Sequence, residues 1–148
     1  MANEIVAANV EITHAITETK SSDTFICTFD TTTIEGKIKL TNALNGAVTM
    51  RDKVGETLRV VDIITKPGVR NRTGEVCVNT YLIVEDGTVY FSQSDGIAES
   101  VRNMATLVFV DPTTGIFVPP IEYNVGFVIR EQITQNGNTR KYVDLVKL

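Results

Sequence analysis

Alternating apolar and polar positions predict five β-strands in the second part of the chain. A two-residue period indicates strands at about 56–66, 75–84, 89–92, 123–134 and 140–147. Asp86-Gly87 and Asn136-Gly137 are typical of tight turns between strands, and Pro67-Gly68 is expected to end the first strand. Apolar residues at helical spacing predict one helix from about Asp95 to Leu107, capped by Ser94. This helix falls between the third and fourth strands.

Three strands, a helix and two further strands are the order of the five-stranded OB barrel, a fold whose face and loops commonly hold oligonucleotides. We therefore expect a mainly β protein in which residues 54–148 form the barrel. The whole chain, residues 1–148, is expected to be a single domain with residues 1–48 as an N-terminal extension.

The N-terminal extension is predicted to hold a β-hairpin and a short helix. Ile5–Ile16 and Thr24–Thr32 both alternate, and the polar residues 18–23 between them indicate a turn. This hairpin could serve self-association or cover an open sheet edge. Thr33–Asn45 partly fits both the strand and the helix period, but Thr33 as a cap and Asn45-Gly46 as a stop favour a helix.

The charge of the chain is unevenly distributed. The net charge of the 148 residues is −4, which gives no overall attraction to phosphate. Residues 49–72, however, carry six basic and three acidic side chains, a net charge of +3. The most basic short stretch is Lys66–Arg72, in the loop between the first two strands. Any binding of nucleic acid would therefore depend on the local field.

Composition argues against metal and enzyme chemistry. Cys27 and Cys77 lie in apolar alternating runs without CxxC spacing, and His14 is the one histidine, so we expect no metal and no other cofactor. No nucleophile motif accompanies His14 and no glycine-rich phosphate signature is present, so we expect no catalytic residues and no enzyme. The lack of a signal peptide or of an apolar run of about 20 residues predicts a cytoplasmic protein that contacts no membrane.

Candidate nucleic-acid contacts lie in the basic loop and on the central strands. Lys66, Arg70 and Arg72, with Arg59 nearby in sequence, are expected to contact phosphates. The alternative is an ordinary solvated hairpin loop. Bases could stack on Tyr81 or on Tyr90, which is expected to be exposed because the adjacent Phe91 must face the other side of the sheet. These rings could equally pack internally, in which case hydrogen bonds from polar side chains would carry more of the binding. Those side chains are Asn71, Asn79, Ser92 and Gln93.

Four segments between about Thr33 and Val108 match the pattern of a known family. They are Lys39–Leu44, Val54–Glu56, Val61–Ile64 and Glu85–Ile97. In these segments the chain resembles the single-stranded-DNA-binding proteins of Gram-positive phages and conjugative plasmids. The resemblance implies a non-enzymatic OB-fold protein that acts in the cytoplasm of the bacterial host cell, coats replication or transfer intermediates and often self-associates. Cellular single-strand binders end in an acidic tail, whereas Tyr142–Leu148 has the pattern of a strand, so recruitment of partners through such a tail is not expected.

The sequence therefore favours single-stranded DNA binding with little sequence preference, with a homo-oligomer formed through the N-terminal hairpin as a further expectation. The alternative is a phage or plasmid structural or adaptor protein that uses its β-barrel for protein–protein interaction. The acidic total charge and the extra hairpin favour this alternative. The residues do not distinguish DNA from RNA.

Overall fold

The structure is a computed structural model and describes residues 25–148, which form a mainly β protein with two sheets. The strands are β1 (Ile26–Cys27), β2 (Val48–Thr49), β3 (Thr57–Leu58), β4 (Val60–Val69), β5 (Val76–Val84), β6 (Val89–Ser92), β7 (Val125–Ile133) and β8 (Thr139–Lys147). The helices are α1 (Ile34–Gly46) and α2 (Asp95–Asn103). A π-helical turn over Met104–Val108 continues α2, and short 3-10 turns occupy Arg51–Lys53 and Pro120–Tyr123.

Local sequence signals account for the helix starts and for most strands. The side chain of Thr33 accepts the backbone N–H of Gly36 at the start of α1, and Ser94 accepts that of Ile97 at the start of α2. The predictions of a short helix after Thr33 and of a helix between the third and fourth strands are thereby confirmed. The strands predicted at 75–84, 89–92, 123–134 and 140–147 correspond to β5, β6, β7 and β8.

The first predicted strand differs from the observed one in two ways. It is divided into β3 and β4, and the register shifts between Val60 and Asp62. Pro67-Gly68 does not end it, because β4 continues to Val69, which pairs with Val76. Proline is tolerated here because, across the described residues, β4 pairs with β1 only at Ile64 and Thr65, so its other side is a free edge at Pro67.

Among the described residues, the two sheets do not close into one barrel, so the predicted mainly β architecture is confirmed but the five-stranded OB barrel is not. The five-stranded sheet has the order β1-β4-β5-β6-β2 and the three-stranded sheet the order β3-β7-β8. Closure would need β6 to pair with β8, but the free edge of β6 pairs in parallel with β2. The outer edge of β8 contacts α2, where Ser100 Oγ accepts the N–H of Val143 at 3.3 Å. Helix α2 thus occupies the position that a closing ladder would need.

Two apolar cores hold the sheets and helices together. The main core lies between the two sheets and α2, and its fully buried members include Ile63, Leu82, Ile97 and Phe127. A smaller core lies on the outer face of the five-stranded sheet, beneath α1. Its buried members are Cys27, Ala43, Ile64, Tyr81 and Ile83. The outer face of the central strands is therefore partly covered.

Polar contacts fix α1 over this outer face. Lys39 Nζ lies 2.5 Å from Asp62 Oδ2 and 4.3 Å from the ring centre of Phe29. Thr28 Oγ1 donates to the other carboxylate oxygen of Asp62 at 2.7 Å. The carboxylate is largely buried; Lys39 compensates its charge, and the hydroxyl of Thr28 adds a hydrogen bond. Burial of the neighbouring Cys27 raises the pKa of its thiol to about 12, so this thiol stays protonated.

The predicted N-terminal hairpin falls mostly on residues 1–24, which lie outside the described residues. Of its second strand, only β1 is observed, and it pairs antiparallel with β4. Beyond β1, Thr28 and Phe29 lie in a bend that leads towards α1. Among the described helices, none is both long and apolar enough to cross a membrane.

We predict that Gly96→Ala destabilises the protein by about 2 kcal/mol or more, because a Cβ at Gly96 would collide with the backbone carbonyl of Lys141 on β8. Gly46→Ala is the matched control. A Cβ there meets open space at the end of α1, and the change should stabilise the protein by about 0.5 kcal/mol. Urea unfolding measures both values. Equal effects of the two variants would contradict the tight α2–β8 contact.

Candidate nucleic-acid interface

The structure divides the predicted contact residues among three locations. Lys66, Arg70, Asn71 and Arg72 lie at the end of the β4–β5 hairpin. Arg59 precedes the first residue of β4, at the end of this strand opposite to the hairpin turn. At the rise of an extended strand, the distance between Arg59 and the turn is up to about 35 Å. The two tyrosines lie on β5 and β6. The candidates therefore do not form one compact cluster.

The hairpin end is shaped by its backbone. Pairing of β4 with β5 continues to Val69 and Val76, and the N–H of Arg70 then donates to the carbonyl of Glu75 at 2.9 Å. The N–H of Gly74, a residue with a positive φ of 74°, donates to the carbonyl of Arg70 at 2.8 Å. Asn71 and Arg72 project from the exposed turn.

Arg70 binds groups within the protein. Its guanidinium donates to the backbone carbonyl of Gln93 at 2.9 Å and to the carboxylate of Asp95 at 3.2 Å. Its other terminal nitrogen lies 3.6 Å from Glu75. Arg70 therefore ties the hairpin to the start of α2, and its positive charge is largely compensated. This result places Arg70 in a positioning role in this structure.

Lys66 and Arg72 differ from Arg70 because neither forms an ion pair with any residue from 25 to 148. Lys66 Nζ has one hydrogen bond, of 3.3 Å, to the carbonyl of Pro67. Lys66 is half-buried on β4, whereas Arg72 is exposed in the turn. Their charges are thus available to an anionic ligand.

Two amides lie beside Lys66 on the outer face of the sheet. Asn79 pairs directly across from Lys66 in the β4–β5 register. Gln93 Nε2 donates to Asn79 Oδ1 at 2.9 Å and to the carbonyl of Val69 at 3.3 Å. The side chain of Asn79 lies where a Cβ on Gly68 would be, so glycine is needed for this arrangement. The sequence analysis named both amides only as general hydrogen-bonding groups. It did not predict that they lie beside Lys66, because this depends on the register of the strands.

Tyr81 is not accessible for base stacking in this structure. Only 6% of its surface is exposed, and its ring centre lies 5.2 Å from that of Phe91. It belongs to the small core beneath α1, and burial raises the pKa of its hydroxyl. The alternation of β5 assigns Tyr81 to the outer face but does not reveal that a helix covers it.

Tyr90 and Phe91 face opposite sides of β6, as expected from their adjacency, and both are half-buried. Phe91 packs with Tyr81 in the small core, whereas Tyr90 packs against the main core. Part of the Tyr90 ring lines an open pocket of about 470 Å³. We expected Phe91 to be buried and Tyr90 to be exposed. In the structure, both rings are partly accessible.

Two cations line the same pocket, and each pairs with a carboxylate. Lys53 Nζ lies 5.6 Å from the ring centre of Tyr90 and 3.4 Å from Glu56, whose hydrogen bond raises the pKa of Lys53. Arg59 Nε donates to Glu85. Asp86 also lines the pocket, which therefore combines an aromatic surface with two cations and three carboxylates, a net charge of −1.

The geometry can be compared with known protein families. Residues 19–124 match a family model described as phage single-stranded DNA-binding protein, of the Phi29 type. The chain belongs to this family. Neither a curated protein nor a solved structure matches the chain. The sequence-based identification of a phage single-stranded DNA-binding protein is thereby confirmed.

The family match includes the whole β4–β5 hairpin, the Tyr90 pocket and α2, while β7 and β8 lie beyond its end. Membership indicates a DNA-binding, non-catalytic kind of protein whose ligand is single-stranded DNA. Among residues 25–148, no three metal-ligating side chains come together in a group that could hold a metal ion.

We predict that Arg70→Ala lowers the free energy of unfolding by about 1 kcal/mol, since it removes hydrogen bonds that join the hairpin to α2. Arg72→Ala should leave it unchanged within about 0.5 kcal/mol, because Arg72 is exposed. Urea unfolding of both variants checks this contrast. A larger loss for Arg72→Ala than for Arg70→Ala would contradict the assigned roles.

Proposed function

We propose that this phage single-stranded DNA-binding protein binds single-stranded DNA with little sequence preference and coats replication intermediates. The observation that carries the proposal is a projecting hairpin, inside the family match, that presents two cations without ion-pair partners among residues 25–148. In a protein with a net charge of −4, such a local positive field supplies the attraction to phosphate.

Phosphate contacts explain tolerance of sequence. Lys66 and Arg72 would contact the backbone of the DNA, which carries no base identity. Asn71 in the turn, with Asn79 and Gln93 beside Lys66, would add hydrogen bonds. Side-chain amides contain both a donor and an acceptor, so they can bind sugar, phosphate or several base edges.

Base stacking is proposed for Tyr90. Its half-buried ring lines a pocket that is open to solvent, whereas the ring of Tyr81 is buried. Arg59 belongs to the same pocket and would approach a phosphate there only by leaving Glu85. Because this pocket and the hairpin end lie at opposite ends of β4, one strand of DNA that contacts both would need several nucleotides. Site sizes of about 4–16 nucleotides are usual for an OB-type domain.

We also propose that the architecture is an open OB-type arrangement. The meander β4–β5–β6, then α2, then the hairpin β7–β8 follow the order of that fold, and β3 pairs antiparallel with β7. The first strand thus contributes to both sheets through β3 and β4. Closure between β6 and β8 is replaced by the α2–β8 contact.

A titration of fluorescently labelled oligo(dT), followed by anisotropy at low salt, tests the proposed function directly. Parallel titrations with oligo(dC), mixed-sequence DNA, duplex DNA and RNA measure selectivity. Similar affinities for the single-stranded DNAs and weaker binding of duplex DNA are expected. Absence of binding to every single-stranded DNA would overturn the proposal and favour the protein–protein adaptor alternative.

We predict that Lys66→Ala/Arg72→Ala weakens binding to oligo(dT) and reduces the slope of log affinity against log salt by about 1.4, because each lost phosphate contact removes about 0.7 from the slope for single strands. Lys147→Ala is the matched control, because this cation is exposed at the end of β8 in the other sheet. Unchanged affinity and slope in the double variant would remove the hairpin from the site.

We predict that Tyr90→Leu weakens binding by about 1–3 kcal/mol, the usual value of one base–aromatic stacking contact, while its apolar side chain preserves packing against the main core. Tyr142→Leu, also half-buried but on β8, is the control. Anisotropy gives the affinities, and urea unfolding shows that both variants remain folded. Equal affinities of folded Tyr90→Leu and wild type would exclude stacking on Tyr90.

A further inference from the structure

The β4–β5 hairpin has an apolar surface that the proposed DNA contacts do not use. Val69 and Val76 pair directly across the hairpin and are 56% and 67% exposed. Val78 continues the same face and, with Val76 and Ala98 of α2, lines an open pocket of about 270 Å³. These three valines are named here the hairpin apolar patch. Adjacent β-branched side chains on one face form a continuous apolar surface, unlike single exposed residues.

The preceding chain leads towards this patch. Strand β1 is antiparallel to β4, with Ile26 opposite Thr65 and Cys27 opposite Ile64. Passing backwards from Ile26, the chain reaches Phe25 on the side of Lys66, nearer the hairpin end. The first described residue is therefore on the approach to Val69 and Val76.

The segment Ile5–Ile16 has the composition and the reach to cover the patch. Eight of its twelve side chains are Ala, Val or Ile, in an alternating pattern. Residues 17–24 separate it from Phe25, and eight residues can span up to about 26 Å. The patch therefore lies within reach of the same molecule's own segment.

Charge around the patch is balanced. Three cations, Arg70, Arg72 and Arg102, are matched by three carboxylates, those of Glu75, Asp95 and Glu99. The apolar contact, and not charge, is therefore the basis for docking.

We propose that residues Ile5–Ile16 dock on the hairpin apolar patch of the same molecule. This covers Val69 and Val76. The inference rests on the exposed valines, the direction of β1 and the apolar composition of residues 5–16.

Hydrogen exchange of the full chain without DNA tests the docking. Backbone amides of residues 5–16 should be protected in the wild type. Val69→Thr/Val76→Thr should reduce that protection about tenfold or more, because it replaces the apolar contact while keeping β-branched side chains in the strands. Val48→Thr on the edge strand β2 is the matched control, since Val48 is 50% exposed and lies away from the hairpin. The control should retain wild-type protection.

The result would overturn the proposal if residues 5–16 exchange freely in the wild type, or if protection is the same in the double variant. Exchange of β4 and β5 amides, measured in the same experiment, verifies that the hairpin remains folded. Mass measurement over a concentration series identifies the occupant. Protection that rises with concentration together with oligomer mass would show that a second copy supplies the segment, which also overturns docking within one molecule.

Discussion

The long antiparallel pairing of β4 with β5 is the constraint on which the rest of the structure depends. It runs from Asp62 and Ile83 to Val69 and Val76, well beyond the part of the sheet that the two cores cover. Each register position assigns one side chain to the inner face and the next to the outer face. The same ladder therefore buries Ile63 and Leu82, places Lys66 across from Asn79, and projects a cationic turn into solvent.

The two helices decide which parts of this sheet a ligand can reach. Helix α2 lies against the edge of β8 through Gly96 and Ser100, keeps the two sheets open to one another and completes the main core. Helix α1 covers the middle of the outer face and buries Tyr81. What remains accessible is the hairpin end and the pocket beside Tyr90.

Neighbouring carboxylates compensate the charges of some cations in this acidic protein, but not of others. Arg59, Arg70 and Lys53 each contact a carboxylate, which reduces their attraction for phosphate. Lys66 and Arg72 have no ion-pair partner among the described residues, although they belong to the same basic stretch of sequence as Arg70. The field near the hairpin thus depends on which cations have partners as well as on how many cations there are.

The local elements could be predicted from the order of residues alone. Two-residue alternation located β5 to β8, hydroxyl caps at Thr33 and Ser94 located the helix starts, and the motifs shared with phage single-stranded-DNA-binding proteins identified the family. These signals work because turns, caps and strand faces depend on residues close together in the chain. The prediction that Pro67-Gly68 ends the first strand was wrong, because whether a proline ends a strand depends on the neighbouring strand and not on nearby residues.

Three features depend on how the described residues pack in space: whether the sheets close, which cations have ion-pair partners and which aromatic rings are accessible. Arg70 meets Asp95 across 25 residues of sequence, Tyr81 is covered by a helix that ends at Gly46, and the edge of β8 contacts a helix from the middle of the chain. No local sequence pattern predicts these contacts. They form when elements that are far apart in sequence pack against the same strand edge, sheet face or charged group as the protein folds.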